Sequence, residues 1–420
     1  MEPFYWANNG KYFWGSWIKG KPHEKGITQS YRDFIKSSSA SLGGLIYLAS
    51  NEKDGEKQQK ERKFIHRILG KTGIKLPIIS MGVMNPHSDG IVRAALDAGI
   101  IHLDTAAHYS RGRVEGMIGE VIKGRNRESL FIATKINLPR DAGSGKYIET
   151  ATTQEFLRRL DNSLGRLGLG YVDILYLHET YTREAISYEP ILKGFEKAKN
   201  DGKIRFIGVS THSKEPEVIQ AAIDSKFYEV ILTAYNFTQK HHRAVREAIA
   251  KAAKAGLGVI AMKVMGGGMY ETRPSKVDGK AALKWVLQDP NVHTTIPGFT
   301  SFEEMAIDLS VMEDLMLTDP EKEYLQKHAA IRGFYCQGCR QCVEQCLIKL
   351  PIPDMMRAYM YTYAYRNLAL AQETLLSLDL PQRICEDCGS CSVKCSVGFD
   401  VSKRIRDIMR LRDVPEDFLA

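Results

Sequence analysis

From about residue 64 to residue 316, apolar runs of strand length alternate with longer stretches whose apolar positions recur at helical spacing. The strand-like runs are IISMGVM (78–84), IIHLDTA (100–106), LFIATKI (130–136), VDILYLH (172–178), RFIGVST (205–211), EVILTAY (229–235), GVIAMKV (258–264) and VHTTIPG (292–298). Each is nearly continuously hydrophobic, as strands buried on both faces of a parallel sheet must be. Between them lie helical stretches such as VEGMIGEVIKG, EFLRRLDNSLGRLG and HRAVREAIAKAAKAG, the last stopped by Gly256. Ahead of the first run, KFIHRILGKTGIKLPI reads as two short strands around a Lys-Thr-Gly turn. Eight strand–helix pairs in about 250 residues predict an α/β fold of the (β/α)8 TIM-barrel type. A doubly wound open sheet would need G-x-G-x-x-G after its first strand, and that signature is missing there.

The flanks differ from this middle. Residues 1–28 are rich in aromatics and show no hydrophobic period. Residues 30–50 look like a degenerate twin-arginine export signal, with Tyr31 in the place of the first arginine and only Arg32 remaining. Residues 51–63 (NEKDGEKQQKERK) read as a charged, disordered linker. The chain therefore divides into a leader and linker (1–63), a barrel (64–316) and a tail (317–420). With the signal degraded, the expected location is the cytoplasm.

The charge of +8 is spread along the chain, without the basic, aromatic-interleaved patch that nucleic-acid binding needs. No apolar run is long enough for a membrane span.

In barrels of this kind the chemistry sits at the C-terminal ends of the strands. The second strand ends in HLDTAAHY, offering Asp104 and Tyr109. The third ends at Lys135, the fourth at His178 and Glu179, and the fifth at Ser210. A phenol, an ammonium, a carboxylate and an imidazole on one rim suit carbonyl reduction. A hydride delivered to a carbonyl carbon leaves an alkoxide, which Tyr109 could protonate. The expectation is that Lys135 lowers the phenol's pKa, that Asp104 holds Lys135, and that His178 donates to the carbonyl oxygen.

Across residues 64–316 the sequence resembles the aldo-keto reductases. The match is carried by ILGKTGIKLPIISMGV, by LDAGIIHLDTAAHYSRGRVEGMIGEVIKGRNRESLFIATK, by YVDILYLH and by IRFIGVST. The resemblance implies a catalytic tetrad of Asp104, Tyr109, Lys135 and His178, with Tyr109 as proton donor. It implies an NADP or NAD cofactor contacted by Gly82, Val83, Met84, Asp104, Ser210, Thr211, Pro297 and Gly298. The substrate would be a small carbonyl compound or alcohol. Several positions depart from the family pattern. Thr211 replaces an Asn, Leu232 a Gln, and Met262 an aromatic that stacks on the nicotinamide; Lys263 follows. Glu304 falls where an Arg often meets the 2′-phosphate of NADP, and a carboxylate there would repel it.

All eight cysteines lie in the tail, in CQGCRQCVEQC and CEDCGSCSVKC. The spacing C-x2-C-x2-C-x3-C, present twice, is an iron–sulfur signal in which the fourth cysteine of each run serves the other cluster. That rule assigns Cys336, Cys339, Cys342 and Cys395 to one [4Fe–4S] cluster, and Cys385, Cys388, Cys391 and Cys346 to the second. Structural zinc, which takes cysteines as two pairs, fits two complete four-cysteine runs poorly. The segment between the runs is helical in composition, and VSKRIRDIMRLRD after them is a further helix. The tail resembles the mostly helical ferredoxin modules of respiratory reductases. Tyr359, Tyr361, Tyr363 and Tyr365 read as packing residues.

The expected protein is thus a nicotinamide-dependent oxidoreductase with electron-transfer clusters, and a redox protein is a possible partner. The alternative is a non-catalytic electron-transfer or redox-sensing subunit that uses the barrel as scaffold.

Overall fold

The computed structural model describes residues 63–84, 88–141, 146–266, 278–329, 335–378, 380–382, 384–385, 388 and 391–419. The leader, the export-like segment and nearly all of the charged linker lie outside the described residues.

The predicted hairpin is present as strands β1 (His66–Ile68) and β2 (Lys75–Pro77), paired antiparallel. All eight barrel strands follow in order: β3 (Met81–Gly82), β4 (His102–Asp104), β5 (Phe131–Ile136), β6 (Val172–Leu177), β7 (Ile204–Thr211), β8 (Val230–Ala234), β9 (Gly258–Met262) and β10 (Thr294–Thr295). They form one eight-stranded sheet in which each strand pairs parallel with its sequence neighbour. A parallel bridge between Ile79 and Thr295 joins last strand to first, with the Gly82 amide donating to Pro297 O at 2.9 Å. The sheet is closed, so it has no exposed edge.

The hairpin and barrel share one core. Leu69, Ile74 and Leu76 pack with Ala133, Ile174, Tyr176, Val230, Leu232 and Ile260. Leu232, which stands in place of the family's glutamine, is fully buried in this apolar interior. At Gly70 (φ +52) a side chain would lie 2.4 Å from Gly258 N, so only glycine allows the hairpin to seat against β9. Arg67 fastens the hairpin by donating to Asp289 O at 3.0 Å and Leu287 O at 2.7 Å, past the end of helix Gly279–Leu287.

The tail is mostly helical, as its composition predicts, with helices Asp319–His328, Gln341–Gln345, Ile352–Tyr363, Leu368–Leu376 and Val401–Met409. Its apolar core gathers Leu350, Ile352, Met355, Met356, Met360, Leu370, Leu375, Ile405 and Ile408. The segment from Glu61 to Ala420 is one compact unit, and the tail lies against the C-terminal ends of the barrel strands. Three bonds define that seat. Arg357 Nη1 donates to Glu179 Oε1 at 2.6 Å, Ser213 Oγ to Gly338 O at 3.0 Å, and Tyr335 Oη to His212 O at 3.2 Å. Gly338 (φ +61) lets the first cysteine loop approach Ser213, because a Cβ there would fall 1.8 Å from Ser213 Oγ. Among the described residues, no helix is long and apolar enough to cross a membrane.

Candidate active site

Asp104, Lys135 and His178 stand at the ends of β4, β5 and β6, and Tyr109 follows β4 in a short 3-10 turn (Tyr109–Gly112). The Lys135 ammonium donates to Asp104 Oδ1 and, at 2.7 Å, to Thr105 O. It lies 5.4 Å from the centroid of the Tyr109 ring. Asp104, Tyr109 and Lys135 line one open pocket of about 850 Å³ of empty space. The His178 ring sits 6.3 Å from Tyr109 and 4.8 Å from His108, centroid to centroid. The four predicted tetrad residues therefore converge.

One electrostatic expectation fails. The Tyr109 phenol is not brought toward the working range: burial first, then Tyr361, Asp104 and Glu179, push it well above its ordinary value. The Lys135 ammonium is bonded to Asp104. Burial also pulls Lys135 down and pushes Asp104 up, each against the attraction of the other. His178 is held well below its ordinary value and His108 is pulled down to about 4, both chiefly by burial, so the imidazoles are neutral near pH 7. A phenol held protonated beside a neutral imidazole can act as a proton donor to a strong base such as an alkoxide.

The residues expected at the cofactor separate into two sets. Gly82, Val83, Met84, Asp104, Pro297 and Gly298 line the pocket, as do Met262 and Lys263. Ser210 and Thr211 are not among its lining residues. Both are buried and bonded locally: Ser210 Oγ accepts from the Glu179 amide at 3.1 Å, and Thr211 Oγ1 donates to Ser213 O at 2.7 Å. The tail loop seated on Ser213 covers that strand end. Glu304 is buried near the start of helix Phe302–Val311, where its carboxylate accepts from the Thr300 amide at 2.6 Å and from Thr300 Oγ1 at 3.0 Å. The carboxylate thus uses the donors that a bound anion would want.

The tail supplies a wall that strand-end reasoning does not reveal. Tyr365 lines the pocket, and the Lys263 ammonium lies 3.4 Å from its hydroxyl. Tyr361 acts on Tyr109, and Arg357 is paired to Glu179 and, at 3.3 Å, to Asp354. Tyr359 and Tyr363 instead stack on each other, with ring centroids 4.3 Å apart, and Tyr363 is exposed. The four tyrosines thus split into two faces at i,i+4 spacing; Tyr361 and Tyr365 pack in the tail core, as expected, and Tyr365 also walls the pocket. Lys263 is partly buried, with backbone φ +57. Burial first, then Arg357, pull its ammonium down to about 7. His108, His178 and Glu179 bring ligand-type atoms within 4.8 Å of one another. With Arg357 already on Glu179 and two lysines close by, the cluster is poorly suited to a metal cation.

The cysteines form two groups. Cys336 is pushed up to about 12 by burial and then by Cys342, Cys395 and Cys339. Cys385 is raised by burial and then by Cys388, Cys391 and Cys346. Cys346, Cys385, Cys388 and Cys391 also line a single cavity of about 430 Å³, floored by Leu350, Ile352, Val401 and Ile405. None of the eight is in a disulfide. Each group draws three cysteines from one run and the fourth from the other.

Comparison with known proteins agrees with the barrel. Residues 81–280 match the model of the aldo/keto reductase family. The chain is 32% identical over 186 residues to L-glyceraldehyde 3-phosphate reductase of Escherichia coli (strain K12), covering 41% of this chain and 50% of that protein, so it spans half the length of this relative. It is 29% identical over 229 residues to morphine 6-dehydrogenase of Pseudomonas putida, covering 53% of this chain and 70% of that one. Among solved structures, the aldo-keto reductase AKR11C1 from Bacillus halodurans, in its holo form, superposes with a TM-score of 0.53 at 22% identity, over 63% of this chain and 96% of that chain. That likeness bears on the fold, and the sequence match on the family: residues 81–280 form an aldo/keto reductase family domain.

Proposed function

We propose that this protein is a nicotinamide-dependent oxidoreductase that interconverts a carbonyl and an alcohol in the barrel, and that its tail holds two [4Fe–4S] clusters for electron transfer. The observation that carries the reading is the single pocket shared by Asp104, Tyr109 and Lys135 with Gly82, Met262, Pro297 and Gly298. The fit to a nicotinamide is supported by the lining of that pocket: Met262 at the end of β9, Gly82 at the end of β3, and Pro297 and Gly298 just past β10. When bound, the nicotinamide supplies or accepts the hydride. Tyr109 Oη then donates its proton to the alkoxide oxygen, His178 orients that oxygen, and Asp104 fixes Lys135 beside the phenol. Fluorescence titration of the purified holo-protein with NADH tests this reading. An absence of binding would favour the scaffold alternative.

The cofactor form follows from Glu304. Its carboxylate, held by Thr300, would face the 2′-phosphate of NADP and repel it. NADH is expected to be preferred over NADPH by about tenfold or more in KM, the factor that about 1.4 kcal/mol of repulsion produces. Glu304→Gln should narrow the gap; an unchanged ratio would remove Glu304 from selectivity.

The cluster assignment is supported by the two converging thiol groups and by the cavity between Cys346 and the second run. Anaerobic purification should give about eight iron and eight labile sulfide per chain. Cys346→Ser should remove or convert the cluster of the second run and leave the first intact by electron paramagnetic resonance. Loss of both signals in equal measure would refute the crossed pairing. A hydride carries two electrons and each cluster one, so exchange between the barrel and the clusters needs a converter, which a redox protein partner would bring.

A further inference from the structure

The charges at the barrel mouth do not balance in pairs. Lys135 is bonded to Asp104, and Arg357 to Glu179 and Asp354. The imidazoles of His108, His178 and His212 are all driven toward the neutral form, chiefly by burial. Lys263 remains. Among the described residues no carboxylate lies within ion-pair distance of its ammonium, and Glu179 acts on it only from farther away. Its neighbours are the Tyr365 hydroxyl at 3.4 Å and the faces of Tyr365 and Tyr361, 5.0 Å and 5.7 Å to the ring centroids. It lines the pocket that holds Tyr109 and Lys135, and also an adjoining cavity of about 320 Å³ lined by His212, Arg357 and Tyr335.

A cation walled by aromatics and left without a carboxylate is costly, so the group either sheds its proton or keeps it through a bound anion. The strained backbone at Lys263 fits that reading, since such conformations collect at ligand sites. The residues that box the ammonium come from the tail, whereas the expected dinucleotide contacts Gly82, Pro297 and Gly298 belong to the barrel. The missing anion is therefore assigned to the substrate. Resting on the reductase reading above, we propose that Lys263 anchors a carboxylate on the substrate, so that the carbonyl compound presented to Tyr109 is an oxo acid. Neutral aldehydes and ketones would lack this anchor.

The test uses matched acid and amide pairs: pyruvate with pyruvamide, and 4-oxobutanoate with 4-oxobutanamide. Each is titrated calorimetrically into the anaerobically purified full chain. In at least one pair the acid should bind about 10- to 100-fold tighter than the amide, the range for a charge-assisted hydrogen bond. Lys263→Met should bring the acid down to the amide, and Lys263→Arg should restore most of the preference. Thermal melting checks that both variants are folded, and Lys263→Gln serves as a second neutral variant. Equal binding of acid and amide in the wild type, absence of binding by both included, overturns the proposal. So does a preference that survives in Lys263→Met and Lys263→Gln, or a loss of NADH affinity in those variants, which would reassign the ammonium to the dinucleotide. An acid preference in a protein that turns over none of these compounds would sink the reductase reading and leave the anchor standing.

Discussion

Tyr109→Phe is expected to lower kcat for carbonyl reduction by about 10²- to 10⁴-fold, the usual worth of a positioned general acid. The substitution keeps the ring that packs against His108 and His178 and removes only the hydroxyl. NADH affinity should therefore stay within about twofold, a free-energy change below the 1.4 kcal/mol that each tenfold requires. Because burial and the nearby carboxylates hold the phenol well above its ordinary value, Tyr109 stays protonated across the working range. Any alkaline limb of the pH–kcat profile that belongs to Tyr109 must then lie above pH ~10, the unperturbed value. A limb near pH 7 that persisted in Tyr109→Phe would belong to another group. The measurement is steady-state kinetics on the variant and the wild type with one carbonyl substrate. Undiminished turnover would remove Tyr109 from the chemistry.

The barrel was legible because its signals are local. Near-continuous apolar runs such as VDILYLH mark buried parallel strands, and a titratable residue at the end of such a run has little choice but to face the mouth. That logic located Asp104, Lys135 and His178, and the fixed offset from Asp104 located Tyr109. It did not locate Arg357, Tyr361 or Tyr365, because their partners are distant in sequence. Glu179 and Arg357 are 178 residues apart, and no periodicity says which surface a helix will cover. The i,i+4 spacing of the tyrosines does imply two faces, but not that one of them looks onto Tyr109. The resemblance places Ser210 and Thr211 at the cofactor; the tail loop on Ser213 lies over that strand end, and their hydroxyls are bonded locally. The Tyr109 pKa was misjudged because a sequence does not show how deeply a phenol is buried.

Arg357→Met is expected to destabilise the protein by about 3–5 kcal/mol, the loss typical when one partner of a buried ion pair is removed. The guanidinium ties tail to barrel at 2.6 Å, with 15% of its side chain exposed against 18% for Glu179. Without it the Glu179 carboxylate would sit at a left-handed backbone position, φ +56, with His178, His212 and Lys263 left to offset its charge. Glu179→Gln should cost less, and the double variant should recover much of the loss, because no uncompensated charge is then buried. The pH dependence has a definite sign. Burial works to raise the Glu179 carboxyl, but Arg357, His178 and His212 outweigh it and hold the group well below its ordinary value. The stabilisation is therefore full above the unfolded carboxylate pKa of about 4.3 and is lost as pH falls through the folded value. In Arg357→Met most of that acid-side loss should be absent, since the carboxyl is no longer held down. Denaturant unfolding of the four proteins at pH 7 and at pH 4 gives the cycle. Equal midpoints for the wild type and Arg357→Met at pH 7 would mean that the Arg357–Glu179 pair adds nothing to stability.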